Sequence, residues 1–166
     1  FDAMERKETY ASTGPRMQVR VFAGWDFSAA DLNSDESVQL GYSKGVPMGG
    51  DLSAAAEGQA PSLIISALKD PDTGNLDRVQ VIKGWLDAEG NTREQVYDVA
   101  CGGDRAVVEK RCNAPVGNTV DVATATYTNT IGAASLQALW TDPDFDAAQK
   151  AFYYVRVLEI PTPRWT

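Results

Sequence analysis

Three acidic runs have residue types and spacings that could hold a cation. Asp142, Asp144 and Asp146 recur at every second position, as the first three ligands of a calcium loop do. Such a loop also needs glycine at its sixth position and a bidentate glutamate at its twelfth, where this chain has Ala147 and Tyr153. Asp31, Asn33 and Asp35 start the same pattern and break it at Glu36 and Tyr42, and Asp70-Pro71-Asp72 lacks a third ligand at the right step. Short acidic side chains in such contexts also cap helices and close turns, and that reading is preferred for all three runs.

The chain contains no histidine. A Ser–His–Asp triad, a Cys–His pair, a histidine-based zinc site and a histidine general base are therefore excluded within it. Carboxylates are the general bases that remain, and no pair of them sits in a catalytic motif. We assign no catalytic residue, no metal ligand and no cofactor to this segment. The loop from Lys44 to Asp51, Lys-Gly-Val-Pro-Met-Gly-Gly-Asp, could form a backbone N–H nest for an anion, but it lacks the Gly-Lys-Ser/Thr ending of a phosphate-binding loop. A structural turn is preferred there.

Thr13-Gly14-Pro15-Arg16 is a junction, since Gly-Pro stops one element and Arg16 starts the next. Arg16, with Thr13 beside it, is the candidate contact for a substrate phosphate, sulfate or carboxylate. The competing reading has Arg16 bonded to a carboxylate or to carbonyls, fixing the junction. Trp25, Trp85, Trp140 and Trp165 could make a carbohydrate platform, but they are scattered irregularly, and core packing suits them better. Cys101 and Cys112 flank a polar stretch, at a spacing wrong for a zinc ribbon or a Cys-x-x-Cys redox pair. Two readings stay open: a disulfide closing this loop, and two free thiols. Loop-flanking pairs suit an exported or periplasmic protein.

The whole chain bounds these candidates. Its 166 residues fit one domain with a core of its own, and the 43% apolar content excludes wholesale disorder. With 23 acidic and 15 basic side chains the formal charge is −8, which argues against nucleic acid as a partner. No apolar run approaches the roughly 18–20 residues of a membrane helix, so no membrane insertion is expected. Phe1 and Met4 at helical spacing, followed by Arg6 and Lys7, read as the last turns of a helix, as in a piece of a longer protein.

The elements that must position these residues are mostly strands. Residues 16–22 alternate, with Met17, Val19 and Val21 on one face. Residues 26–39 read as a loop and 41–50 as a turn-rich crossing. Strands are expected over 61–68, 78–86 and 94–100, separated by turns at 70–75 and 87–91. The Val/Thr alternation of 119–128 predicts a strand, 131–139 a short helix, and 142–150 a helix entry. Residues 152–160, apolar on both faces, predict a central strand. About six strands with short helical pieces make a mainly β protein, an immunoglobulin-like β-sandwich with short peripheral helices.

Several segments resemble the C-terminal part of a bacterial family catalogued as domain-of-unknown-function family 3604. They are Arg6-Lys7-Glu8-Thr9-Tyr10-Ala11-Ser12-Thr13-Gly14-Pro15-Arg16, Gly24-Trp25-Asp26-Phe27, and Gly45-Val46-Pro47-Met48-Gly49-Gly50-Asp51-Leu52. Further on come Gly74-Asn75-Leu76-Asp77-Arg78 running to Gly84-Trp85, and Gly117-Asn118-Thr119-Val120-Asp121. The last runs from Trp140-Thr141-Asp142-Pro143-Asp144-Phe145-Asp146 through Tyr153-Tyr154-Val155-Arg156-Val157-Leu158-Glu159-Ile160 to Pro161-Thr162-Pro163-Arg164-Trp165.

The resemblance implies a longer parent whose N-terminal part is similar to a PHP-type (polymerase and histidinol phosphatase) metal-dependent hydrolase with a histidine-rich metal motif. On that basis residues 1–15 are the tail of the preceding catalytic part, a helix and a junction, and 16–166 the C-terminal β-sandwich. The expected partner is the N-terminal catalytic domain of the same chain, where a divalent metal is expected. The loop from Cys101 to Cys112 departs from many relatives, so the family does not supply its pairing. Two functions follow: a non-catalytic accessory domain packing on the active-site cleft and walling it, or an autonomous carbohydrate- or protein-binding module using exposed tryptophans.

Overall fold

Alternation of apolar and polar residues builds the strands, and their apolar faces bring two sheets together. The computed structural model describes residues 1–163. Its first sheet contains β1 (Gln18–Gly24), β2 (Gly45–Pro47), β3 (Ser62–Leu68) and β8 (Ser135–Thr141), in the antiparallel order β2-β1-β3-β8. The second contains β4 (Leu76–Leu86), β5 (Thr92–Cys101) and β9 (Ala151–Glu159), in the antiparallel order β5-β4-β9. A small hairpin of β6 (Val107–Val108) and β7 (Arg111–Cys112) hangs beyond β5. Three short helices complete the chain: α1 (Asp2–Glu5), α2 (Ala29–Leu32) and α3 (Ser37–Lys44). Among the described residues no helix is long and apolar enough to cross a membrane.

The main core lies between the sheets. Leu63, Ile65 and Ala67 of β3 and Leu136 and Ala138 of β8 meet Leu76, Val79 and Val81 of β4 and Ala100 of β5. A second cluster lies on the outer face of the first sheet, where Phe22, Phe27 and Ile64 pack with Leu32 and Leu139 under the α2–α3 segment. Gly41 in α3 makes this possible, since a Cβ there would lie 2.4 Å from the Phe22 ring. The architecture is mainly β, a two-sheet sandwich. The orders β1-β3-β8 and β5-β4-β9 match strands A-B-E and C′-C-F of an immunoglobulin-type sandwich, with β2 added beside A.

Several expectations need correction. Residues 26–39 hold α2 and the start of α3 rather than a loop, because Ser28 and Asp31 form a reciprocal capping box. In the expected crossing at 41–50, α3 continues to Lys44 and β2 follows. Residues 119–128 form no strand beyond one bridge between Asp121 and Thr126. There Asn118 and Asp121 accept hydrogen bonds from the N–H groups two residues on, and Val122 is exposed, so β-propensity finds no surface to pack on. Residues 131–139 hold no helix; β8 pairs with β3 instead, an effect of tertiary pairing over local propensity. Residues 142–150 contain no helix, because Asp142 and Asp146 each accept a hydrogen bond from the backbone N–H two residues on, as turn residues do. The strand over 151–159 lies at the edge of its sheet, not at the centre.

Candidate functional site

Lysine in the middle of an apolar strand is costly unless it is paired, and β4 carries one at Lys83. Its side chain is 3% exposed and that of Asp142, just after β8, is 0% exposed. Lys83 Nζ lies 2.6 Å from Asp142 Oδ2 and donates to the Asp144 carbonyl at 2.7 Å. The Tyr153 hydroxyl donates to the same Asp142 oxygen at 2.6 Å, and the Asp144 N–H to the other at 2.9 Å. Asp144 in turn accepts from the Tyr97 hydroxyl at 2.8 Å and from Lys110 Nζ at 2.6 Å. Strands β4, β5 and β9 and the turn after β8 thus meet on one polar network between the sheets.

The titration of this network follows from its bonds. Hydrogen bonds from Lys110 and Tyr97 hold the Asp144 carboxyl below the usual range. Burial, reinforced by the carboxylates they donate to, pushes the Tyr97 and Tyr153 hydroxyls well above the ordinary tyrosine value. Both tyrosines are donors; both oxygens of Asp142 and Oδ2 of Asp144 accept, and the Asp144 side chain is 51% exposed. The arrangement ties three strands and the turn after β8 together.

At least one carboxylate of each acidic run singled out in the sequence is engaged in the same way. Asp146 accepts from the Ala148 N–H at 2.9 Å. Asp31 accepts from the Ser28 N–H and hydroxyl and from Lys44 Nζ, which lowers its carboxyl to about 2. Asp70 accepts from the Arg16 and Asp72 N–H groups, which lower its carboxyl too. Among the described residues no group of three or more Cys, Asp or Glu side chains is placed to hold a metal ion.

Arg16 and Thr13 lie at the entry to β1. The Arg16 side chain is 83% exposed, and its guanidinium lies 3.9 Å from both Asp70 Oδ2 and Asp72 Oδ2. An anion bound there would share the guanidinium with two carboxylates. Thr13 is exposed, and neither residue lines the main concavity of the molecule. The loop after Lys44 makes β2 and a turn in which Gly49, at φ +82°, passes so close to the Lys7 carbonyl that a Cβ would lie 2.2 Å from its oxygen. Lys44 itself is bonded to Asp31. Cys101 and Cys112 form a disulfide that joins the end of β5 to β7. Next to it Asp98 accepts from the Cys112 N–H at 2.9 Å and from Gln80 Nε2 at 2.6 Å.

The tryptophans are dispersed. Trp140 packs between the sheets against Tyr97 and Tyr153, and Lys83 Nζ sits 5.5 Å from the Trp85 ring centre. Trp25 meets Phe145 edge-on and is the one described tryptophan that lines the main concavity; Trp165 lies outside the described residues. That concavity is a groove of about 820 Å³ between β1–β2 and the first half of β9. Val19, Val21, Val46 and Leu63 form one wall, Tyr153 and Val155 the other.

Asp142 and Asp144 of the Lys83 network, and Trp25 and the stretch 46–51 of the groove, are among the candidates read from the sequence, but Lys83 and the groove as a whole are not. Lys83 was detectable, as a lone charge in the run Val79-Gln80-Val81-Ile82-Lys83-Gly84-Trp85. The groove had no local signal, because its walls come from strands distant in sequence.

Among curated proteins and among solved structures no match to the chain is found. A family model described as Protein of unknown function (DUF3604) matches residues 1–166. The match spans the whole chain, and the protein belongs to the DUF3604 family.

Proposed function

We propose that this chain is a non-catalytic accessory β-sandwich of a PHP-like metal-dependent hydrolase, docked on the metal-binding part and forming one wall of its cleft. The observation that carries this reading is the apolar surface around the N-terminal segment. Phe1 is 95% exposed, Met4 70% and Tyr10 51%, three of the large apolar side chains exposed in the chain, and ones that another part of the protein packing there would cover. Support also comes from Asp142, whose two carboxylate oxygens are bonded within the sandwich. The divalent metal belongs, in this reading, to the preceding part. Arg16, on the junction that leads out of that part, is the residue of this chain nearest to a substrate anion. The tryptophan-based binding module draws on Trp25 alone among the described residues.

The test is association in trans. The 166-residue chain is mixed with a separately expressed metal-binding part of a family member, and the Kd is measured by calorimetry. Met4→Asp combined with Tyr10→Asp should weaken binding at least about tenfold, a loss of roughly 1.4 kcal/mol. Equal binding by the variant, or no complex at all, refutes the docking face. Arg16→Ala in the joined protein should raise KM for an anionic substrate about tenfold, and an unchanged KM removes Arg16 from the site.

A further inference from the structure

Three arginines converge on the outer face of the second sheet. In the register of that sheet Asp98, Gln80 and Arg156 stand side by side across β5, β4 and β9. Their face is the one opposite to the core face of Val79 and Val81, and Arg78 shares it two residues along β4. Gln80 Nε2 donates to Asp98 Oδ1 at 2.6 Å, and Gln80 Oε1 accepts from Arg156 Nε at 2.9 Å. Arg78 Nε and Arg111 Nη1 each lie 3.8 Å from that same Asp98 oxygen. The disulfide fixes the position of Arg111: Cys101 is the cross-strand partner of Arg78, and its bond to Cys112 fastens the β6–β7 hairpin beside β5.

The charge of this cluster does not balance. Asp98 is buried and counts for one negative charge. The other carboxylate paired with these arginines is Asp77, 3.2 Å from Arg78 Nη1, and Arg105 shares it at 2.7 Å from the second oxygen. Four guanidiniums therefore face two carboxylates, a surplus of two positive charges on a chain whose formal charge is −8. Arg105 is occupied, since it also donates to the Gly102, Ala114 and Asp77 carbonyls. The other three keep donors free. A separation of 3.8 Å is too long for a hydrogen bond to Asp98. Arg78 Nε is buried and has no hydrogen-bond partner among the described residues. An unpaired buried donor is costly, and here it points to an acceptor that belongs at the site.

We propose that Arg78, Arg111 and Arg156 bind the phosphate group of a small phosphate monoester. Such a group carries about −1.5 to −2 at neutral pH, which matches the surplus of two, whereas a carboxylate brings one charge. Its three terminal oxygens suit planar guanidiniums, which bind phosphate through paired N–H groups. The −8 of the chain as a whole disfavours a polyanion or an anionic membrane as the source of the phosphate. Arg16 differs in kind, because there two carboxylates face one guanidinium. None of the three arginines lines the groove between the sheets, and none belongs to the N-terminal segment with Phe1, Met4 and Tyr10. The inference goes beyond the accessory-domain reading and does not rest on it.

The probe is inorganic phosphate, with sulfate as a second dianion and acetate as a monoanion, added to the 166-residue chain at constant ionic strength and about pH 8, where phosphate is doubly charged. Binding is followed by NMR at the arginine Nε–H groups. Phosphate and sulfate should shift the signals of Arg78, Arg111 and Arg156 along one saturable curve, with a Kd at least about tenfold below that of acetate. Arg111→Gln and Arg156→Gln change exposed side chains, so the sandwich should fold in both, with tryptophan indole signals unchanged. Each should weaken phosphate binding at least about tenfold. The absence of a saturable shift at these arginines, binding of phosphate no tighter than of acetate, or an unchanged affinity in either variant overturns the proposal.

Discussion

Replacing Lys83 by methionine removes one half of a buried ion pair and keeps most of the side-chain volume. The two side chains are 3% and 0% exposed, so solvent screens them little. Breaking a buried pair from one side costs roughly 3–5 kcal/mol, because the other charge stays behind unpaired. Asp142 keeps the Tyr153 hydroxyl and the Asp144 N–H as donors, which places the expected loss near the lower end, about 3 kcal/mol. For a domain of this size that is a fall in Tm of roughly 6–12 °C. Urea unfolding followed by tryptophan fluorescence would measure it, with an unchanged m-value showing that the folded state is still reached. The double variant Lys83→Met/Asp142→Asn should recover much of the loss, giving a coupling energy of at least about 1 kcal/mol between the sites. A loss below about 1 kcal/mol for Lys83→Met, or additive effects in the double variant, would refute the claim that this pair is a structural tie.

Three further outcomes are expected. The folded Asp31 carboxyl, at about 2 against an ordinary value of 3.8, contributes stability that is present above about pH 4 and is lost as the pH falls through about 2; Asp31→Asn should flatten this part of an acid-unfolding curve, and an unchanged acid limb would contradict it. Cys101→Ala with Cys112→Ala should cost about 3 kcal/mol in urea unfolding on the chain-entropy account of a loop with a sequence separation of 11, and a cost near zero would contradict that account. Gly41→Val should push α3 off Phe22, with a destabilisation of roughly 1–3 kcal/mol and altered ring signals of Phe22 and Tyr42; an unperturbed spectrum would show that the contact yields cheaply.

Strands whose own residues carry the pattern were legible. Val19 and Val21 mark the half-buried face of β1 that turns to the other sheet, and Ile64-Ile65 mark β3. Elements decided by distant partners were not. The β8 residues Leu136, Ala138 and Trp140 face the other sheet, an alternation that was read as a short helix because pairing with β3 cannot be seen locally. Thr and Val over 119–128 carry high β-propensity, yet no second surface meets them. Asp142 reads as a capping or turn residue, and it does accept the turn bond from the Asp144 N–H, but its buried partner Lys83, 59 residues away, is not visible locally. The most informative discrepancy is β9, whose apolar residues on both faces predict a central strand, whereas the structure places it last in its sheet with Phe152 and Tyr154 exposed. The Arg16 junction was visible as Gly14-Pro15-Arg16, whereas its neighbours Asp70 and Asp72 come from a turn 54 and 56 residues on.

The central claim is that chemistry is supplied beside this sandwich and not by it. Its most direct measurement compares turnover of p-nitrophenyl phosphate with Mn²⁺ by the 166-residue chain, by the metal-binding part of a family member, and by the two together. The expected result is no turnover by the chain alone and faster turnover, or a lower KM, for the mixture than for the metal-binding part. Hydrolysis by the isolated chain, at a rate lost on substituting its own carboxylates, would contradict the account.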